Sequence, residues 1–208
     1  MENHDINPAS GNEKPASPAA SQKQEKSLLF YLHDLVILVA IVLLVFSLLF
    51  RVVVVSGPSM YSTLTDGDCL LLLNSYLYPE PKVGDIIVAS KETHDNGAPI
   101  IKRVIATEGQ RVDIDFEAGI VYVDGIALNE PYAFTPTNLF EGVSFPLTVD
   151  KGCVFVLGDN RNESKDSRNP DIGLVDKREI VGKAVFLLFP GNENGQIARD
   201  IERIGVLH

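Results

Sequence analysis

The stretch Leu35-Val-Ile-Leu-Val-Ala-Ile-Val-Leu-Leu-Val-Phe-Ser-Leu-Leu-Phe50, followed without a break by Arg51-Val52-Val53-Val54-Val55, is where two kinds of structure meet. Its first part is apolar all round, with Ser47 as the sole polar interruption. Leu28 to Leu32 extend it on the N-terminal side, past His33 and Asp34. Together they reach the length of about 20 residues that a helix needs to cross a bilayer. A buried core helix would show a polar face at some turn, and none is present. A cleaved leader fits poorly as well, because the run is long for one and Val52–Val55 stands where small residues at a cleavage site belong. The expectation is an uncleaved membrane anchor over 27–51, with Arg51 reaching back to the interface, followed at once by a β-strand of branched residues.

Upstream, residues 1–26 hold Pro8, Pro15 and Pro18 among Ser, Ala, Asn and charged residues. They read as a disordered tail, too poor in apolar surface to offset its ordering entropy. Lys14, Lys23 and Lys26 precede the span, whereas Arg51 alone follows it closely. That asymmetry puts the N-terminus in the cytoplasm and the larger domain outside. The net charge of −10 over 208 residues argues against a nucleic-acid partner, which needs a basic surface. It also means that the tie to the lipid bilayer is hydrophobic and not electrostatic.

Downstream, short runs rich in Val, Ile, Leu and Phe alternate with turn signals: Val52–Val55, Cys69–Leu73, Asp85–Ala89, Ile100–Ala106, Ile120–Val123, Cys153–Leu157 and Ala184–Phe189. Asp124-Gly125 marks a hairpin turn. Helical periodicity is absent apart from a short stretch near Ile197–Ile204. The fold class is therefore mainly β: an N-terminal transmembrane helix, then an antiparallel sheet or partial-barrel domain over 52–112 and 151–190. A small β insertion occupies 113–150 and a C-terminal tail 191–208. The acidic segment Asp113–Glu117 reads as a solvated face. Cys69 and Cys153 show no metal-ligand spacing, which leaves two buried thiols, the preferred reading, or one isolated bridge. His4, His33, His94 and His208 do not cluster, so neither a metal nor another cofactor is expected, and none of the four is given a catalytic role.

Three polar clusters interrupt this pattern. In Ser56-Gly57-Pro58-Ser59-Met60, the Gly-Pro pair forces a turn that projects Ser59 from a fixed bend. On these residues alone, ordinary turn chemistry is the better explanation. In Ile100-Ile101-Lys102-Arg103-Val104-Ile105, strand alternation sends Lys102 and Arg103 to opposite faces, so one of them points inward. A lysine taken into apolar surroundings loses its proton more easily and can serve as a base. A surface strand with two solvated cations is the plainer alternative. The third cluster, Gly158-Asp159-Asn160-Arg161-Asn162-Glu163-Ser164-Lys165-Asp166-Ser167-Arg168, ends an apolar strand. It reads as a solvated loop or as an ordered one that supports a site, with Asp166 and Arg168 placed to pair.

Taken in order along the chain, these segments resemble the type I signal peptidases, in particular the short, single-anchor bacterial kind. The resemblance covers roughly residues 28–190 and includes Gly84-Asp85-Ile86-Ile87-Val88 and Ile180-Val181-Gly182-Lys183-Ala184. It implies a plasma-membrane serine endopeptidase, single-pass, that cleaves signal peptides from exported preproteins after small residues. Ser59 would be the nucleophile and Lys102 the general base. Ser164 would orient the lysine amine, Asp166 and Arg168 would support the site, and the Ser59 N–H would be one oxyanion donor. Where some members carry a serine as second donor this chain has Gly57, so the Gly57 N–H or the Ser56 hydroxyl is expected there. Val55, Met60 and Ile101 are candidate pocket walls, with core packing the equal alternative. Two other readings remain at this point. A self-cleaving repressor-type Ser–Lys peptidase would lack the anchor and the Gly158–Arg168 segment. A membrane-anchored β-domain binding or scaffold protein would carry an inert dyad.

Overall fold

The computed structural model describes residues 18–192 and 200–207. Helix α1 runs from Pro18 to Leu49, and its part up to Phe46 belongs to the first of two compact units. Its Leu29–Leu49 part is long and apolar enough to cross a membrane, and its side chains from Leu29 to Leu48 are exposed. The helix starts earlier than the boundary at residue 27. Ala19, Ala20, Gln22, Lys23, Gln24, Glu25 and Lys26 are good helix formers, and Pro18 suits the first helical position. Extension from a helix already formed also costs little. The remainder of the expected tail, 1–17, lies outside the described residues.

The second unit is antiparallel β throughout its described ladders. Its strands are β1 (Phe50–Val54), β2 (Cys69–Asn74), β3 (Ile86–Ser90), β4 (Pro99–Thr107), β5 (Arg111–Asp115), β6 (Ile120–Val123), β7 (Ile126–Ala127), β8 (Leu147–Thr148), β9 (Cys153–Leu157), β10 (Val175–Asp176), β11 (Ile180–Phe189) and β12 (Gly205–Val206). The larger sheet has the order β1-β2-β11-β3-β4-β9-β10, with β12 on β11. The smaller sheet is β7-β6-β5-β8 and contains the insertion. All seven runs read from the sequence fall on strands, with Val55 and Asp85 just outside the ends of β1 and β3. β5 was hidden by its acidic residues: Arg111, Asp113 and Asp115 face solvent while Val112 and Ile114 turn inward. The β6–β7 turn has positive φ at both Asp124 and Gly125, as a two-residue hairpin requires.

Two features place the site. β4 is buried on both faces between β3 and β9, so Lys102 and Arg103 are both inside, 4 % and 2 % exposed. Alternation was read correctly, but a strand covered on both sides leaves neither cation in solvent. The insertion, in turn, is not separate from the domain it interrupts. Val112, Ile114, Val121 and Val123 share one core cluster with Ile105, Ala106, Phe155 and Leu157.

The C-terminal segment is structured where it is described. Asp200 caps a short turn over Ile201–Arg203, β12 pairs with β11, and Arg203 binds the buried Asp68 carboxylate at 2.6 Å. These contacts replace the short helix expected near Ile197–Ile204, of which 197–199 lie outside the described residues. Cys69 and Cys153 are free thiols, each half-buried.

Phe155 has no exposed surface and anchors the shared cluster. Phe155→Ala is expected to cost about 3–5 kcal/mol through lost burial and the cavity left behind. Denaturant unfolding in detergent micelles measures it, and a loss below about 1 kcal/mol would show that the insertion and the main sheet do not share a core.

Candidate active site

The segment after β1 is folded into a compact turn. The Tyr61 N–H donates to Pro58 O at 3.0 Å and the Leu64 N–H to Met60 O at 2.8 Å. Gly57 takes φ +89°, a conformation that favours glycine. The Gly57 N–H donates to the Asp66 carboxylate at 2.8 Å. Ser59 is half-buried at the apex.

Across from it, Lys102 Nζ lies 2.7 Å from Ser59 Oγ and 3.0 Å from Ile101 O. The two contacts use the two N–H groups of a neutral amine. When the hydroxyl rotates, the 2.7 Å contact can instead carry its proton toward the nitrogen lone pair. Burial lowers the Lys102 pKa to about 8, against the raising influence of Asp166, Glu141 and Asp159. No carboxylate bonds the amine directly. Asp159 is held by Arg103 through two bonds of 2.9 and 2.8 Å and by the Thr63 hydroxyl. Asp166 is held by Arg168 through two bonds of 2.8 Å. Glu141, whose carboxyl is pushed up mainly by burial, sits 3.1 Å from the same guanidinium.

The polar segment after β9 grips the Ser59 turn through its backbone. The Asn160 N–H donates to Ser59 O at 3.0 Å and its side chain to Pro58 O at 3.2 Å. Gly158 permits this approach. A Cβ there would stand 2.1 Å from Ser164 Oγ and 2.5 Å from Ser59 O, closer than atoms can pack. The Ser164 hydroxyl donates to Asp166 at 2.8 Å. The bond to the lysine amine that the resemblance implied is not made here: Lys102 Nζ contacts Ser59 Oγ and Ile101 O, while the Ser164 hydroxyl keeps lone pairs able to accept.

A cavity of about 450 Å³ opens beside Ser59. Val55, Met60 and Ile101 line it, and they also belong to the adjoining core cluster, so they serve as wall and core together. Ser56 and Gly57 line it as well. With the Gly57 N–H engaged by Asp66, the donors left for an oxyanion are the Ser59 N–H and the Ser56 hydroxyl, neither of which is bonded among the described residues.

A model of the family described as signal peptidase, peptidase S26, matches residues 28–189. The chain belongs to the signal peptidase family. Signal peptidase I T of Bacillus subtilis (strain 168) is 36 % identical over 184 residues, 85 % of this chain and 93 % of that protein. Signal peptidase I of Bacillus licheniformis is 34 % identical over 181 residues, 83 % of this chain and 95 % of the relative. The probable signal peptidase I-1 of Synechocystis is 40 % identical over 169 residues, 75 % and 82 % of the two chains. The crystal structure of a signal peptidase I from Enterococcus faecalis has 30 % identity and a TM-score of 0.41, covering 50 % of this chain and 96 % of the other. Membership of the family makes the chain a serine endopeptidase of the signal peptidase I kind.

Several residues that shape the site of this family member were not singled out in the sequence. Asp66 clamps the turn from nine residues downstream of Gly57, and its exposed loop position gave no signal. His94, Asp95 and Lys165 line the cleft. They lie on two loops that meet where Thr93 Oγ1 donates to Asp171 O at 2.6 Å, a meeting that no local pattern announces. His4 and His208 lie outside the described residues, and among the described residues no group of three potential metal ligands occurs.

Two outcomes are expected here. Gly158→Ala should abolish measurable cleavage, since its Cβ collides with Ser164 and the Ser59 carbonyl; activity within about threefold of wild type would show that the turn can retreat. Lys102→Met should be inactive yet more stable than wild type below pH 8. The folded amine titrates at about 8 and the unfolded one near 10.5, so between those values the unfolded chain binds the extra proton. Wild-type stability therefore rises with pH through that window. The advantage of the methionine variant should shrink by roughly 3 kcal/mol between pH 6.5 and the alkaline end, read from melting curves.

Proposed function

We propose that this chain is a membrane-anchored endopeptidase that removes signal peptides from exported preproteins, with Ser59 as nucleophile and Lys102 as general base. The observation that carries the reading is a buried amine 2.7 Å from a turn-held hydroxyl at the mouth of the cavity. Lys102 takes the Ser59 proton as Oγ attacks the scissile carbonyl. The developing oxyanion meets the Ser59 N–H, with the Ser56 hydroxyl as the second donor. The ammonium of Lys102 then gives its proton to the leaving amine, and the new N-terminus departs from an ester on Ser59. A water, deprotonated by the same amine, hydrolyses that ester.

The sheet supports an extended substrate. Among the described residues β1 pairs in the sheet with β2, and its Val53–Val54 end lies at the sheet border beside the cavity. β4 pairs with β9 only from Arg103 onward, so Pro99–Lys102 has an open edge. Both edges line the cavity. A peptide strand laid between them satisfies its backbone on each side and points alternate side chains inward. The apolar walls at Val53, Val55, Met60 and Ile101 suit small apolar side chains at the first and third positions before the cut.

The span Leu29–Leu49 anchors the chain, and the lysines that precede it favour a cytoplasmic N-terminus with the β domain outside the membrane. Ser59 follows the span closely in sequence. Register also aligns Val52, Leu71, Phe186 and Val206 in one row, and Val54, Cys69 and Phe189 in the next. Val52, Val54, Phe189 and Val206 are exposed, an apolar sheet face suited to a lipid surface.

Ser59→Ala and Lys102→Ala should each lose cleavage of a preprotein by about 10³-fold or more. Lys102→Arg should be equally inactive, because a guanidinium does not deprotonate near neutral pH; retained activity would remove Lys102 from the base role. The wild-type rate should rise with pH through about 8, where the amine loses its proton, and a flat profile from pH 6 to 10 would contradict the assignment.

A further inference from the structure

The 450 Å³ cleft lies to one side of Ser59, between Val53–Met60 and Ala98–Lys102. A polypeptide cut at an internal bond must pass Ser59 and continue, so the part beyond the bond needs a path of its own. The insertion supplies a surface there. Tyr61, two residues after Ser59, meets the Phe134 ring edge-on, with centroids 4.7 Å apart and planes at 85°. The Phe134 N–H donates to Asp159 O at 2.8 Å, and the next residue, Asn160, donates to Ser59 O. Phe134 is thus tied to the same strand end that fixes the nucleophile turn. Its ring is nonetheless 52 % exposed, and it belongs to none of the three core clusters.

Next to Phe134 lies a second cavity, of about 340 Å³. Ile120, Leu128, Ala133 and Pro136 give it apolar walls. Its charged groups, Glu130 and Arg161, neutralise each other through bonds of 2.7 and 2.8 Å. Thr135 also lines it, and the Thr135 hydroxyl is buried without a hydrogen-bond partner. A buried hydroxyl left unpaired is unfavourable, and a peptide group arriving in the cavity would supply the missing partner. Apolar walls, no net charge and one free hydroxyl suit a neutral extended peptide with an apolar side chain, and not an ion.

We propose that the Tyr61–Phe134 ledge and the cavity beside it bind the segment of substrate that follows the scissile bond, the first residues of the released chain. The proposal rests on Ser59 being the nucleophile and on the larger cleft holding the acyl side. Two residues of chain span at most about 7 Å, so a peptide leaving Ser59 meets the ledge within its first few residues. An aromatic pair held by main-chain bonds costs little entropy to present, which favours binding.

The test uses the full-length chain in detergent micelles and two peptides identical up to the cut. One ends as an amide directly after the first residue beyond the bond, and the other continues for about six residues with an apolar side chain among the first three. The longer peptide should show a kcat/KM about tenfold higher, carried by KM. Phe134→Ala should bring the ratio of the two values close to one, and Thr135→Val should lower it by about threefold. Ile126→Ala, on the distant β6–β7 turn, should leave the ratio as in wild type. Equal losses on both peptides would mark Phe134 as structural support only and overturn the proposal, as would a wild-type enzyme that cuts both peptides equally well. Cleavage of the short peptide by Ser59→Ala would instead overturn the nucleophile assignment, whatever the ratio shows.

Discussion

A buried lysine with no carboxylate bonded to it is the constraint that organises this protein. An amine in that position gives up its proton near pH 8 only while burial outweighs the acids around it. Asp159, Asp166 and Glu141 all raise its pKa, yet each is matched to a guanidinium: Asp159 to Arg103, the other two to Arg168. The fold thus carries a set of buried ion pairs that neutralise the acids without handing any of them to Lys102. Arg103 is the next residue on the strand and faces the other way, so one stretch of β4 supplies both the buried amine and the cation that quiets a neighbouring acid.

Such pairs are costly to bury unless every oxygen and nitrogen is bonded. The structure meets much of that demand with main-chain groups, although Glu141 Oε1 is buried without a hydrogen-bond partner. Arg168 donates to Arg161 O, Ser164 O and Leu139 O besides Asp166, and Arg161 reaches Gly158 O, Glu130 and Thr137. Leu139, Glu130 and Thr137 come from the insertion. The small sheet is therefore a brace for the polar segment after β9, and that segment in turn holds the Ser59 turn through Asn160. Gly158 is the point where these layers come closest, and only a residue without a side chain fits between Ser164 and the Ser59 carbonyl.

The membrane span, the runs of Val and Ile that became strands, the Asp124-Gly125 turn and the three polar clusters were all legible in the sequence. So was the opposite facing of Lys102 and Arg103. The reason is that each rests on local periodicity or local turn chemistry, which the chain carries residue by residue. The pairing of Asp166 with Arg168 was legible too, since two residues in one loop need no distant partner to meet.

What lay beyond local pattern was decided by tertiary contacts. The sequence by itself determined that a serine in a tight turn and a lysine in an apolar strand exist, and in what order; it held nothing about the 2.7 Å between them. It left Lys102 or Arg103 to solvent, whereas both are buried on this central strand, Lys102 against the Ser59 turn and Arg103 under the Tyr132 ring. It offered the Gly57 N–H as an oxyanion donor, whereas Asp66 claims it. It assigned the Ser164 hydroxyl to the lysine, whereas that hydroxyl bonds Asp166 and the amine reaches Ser59 Oγ and Ile101 O. In each case the outcome turned on which of several partners came within hydrogen-bonding reach once the sheets had packed. That reach ends at about 3.2 Å, so strand pairing, and not composition, chose among the partners.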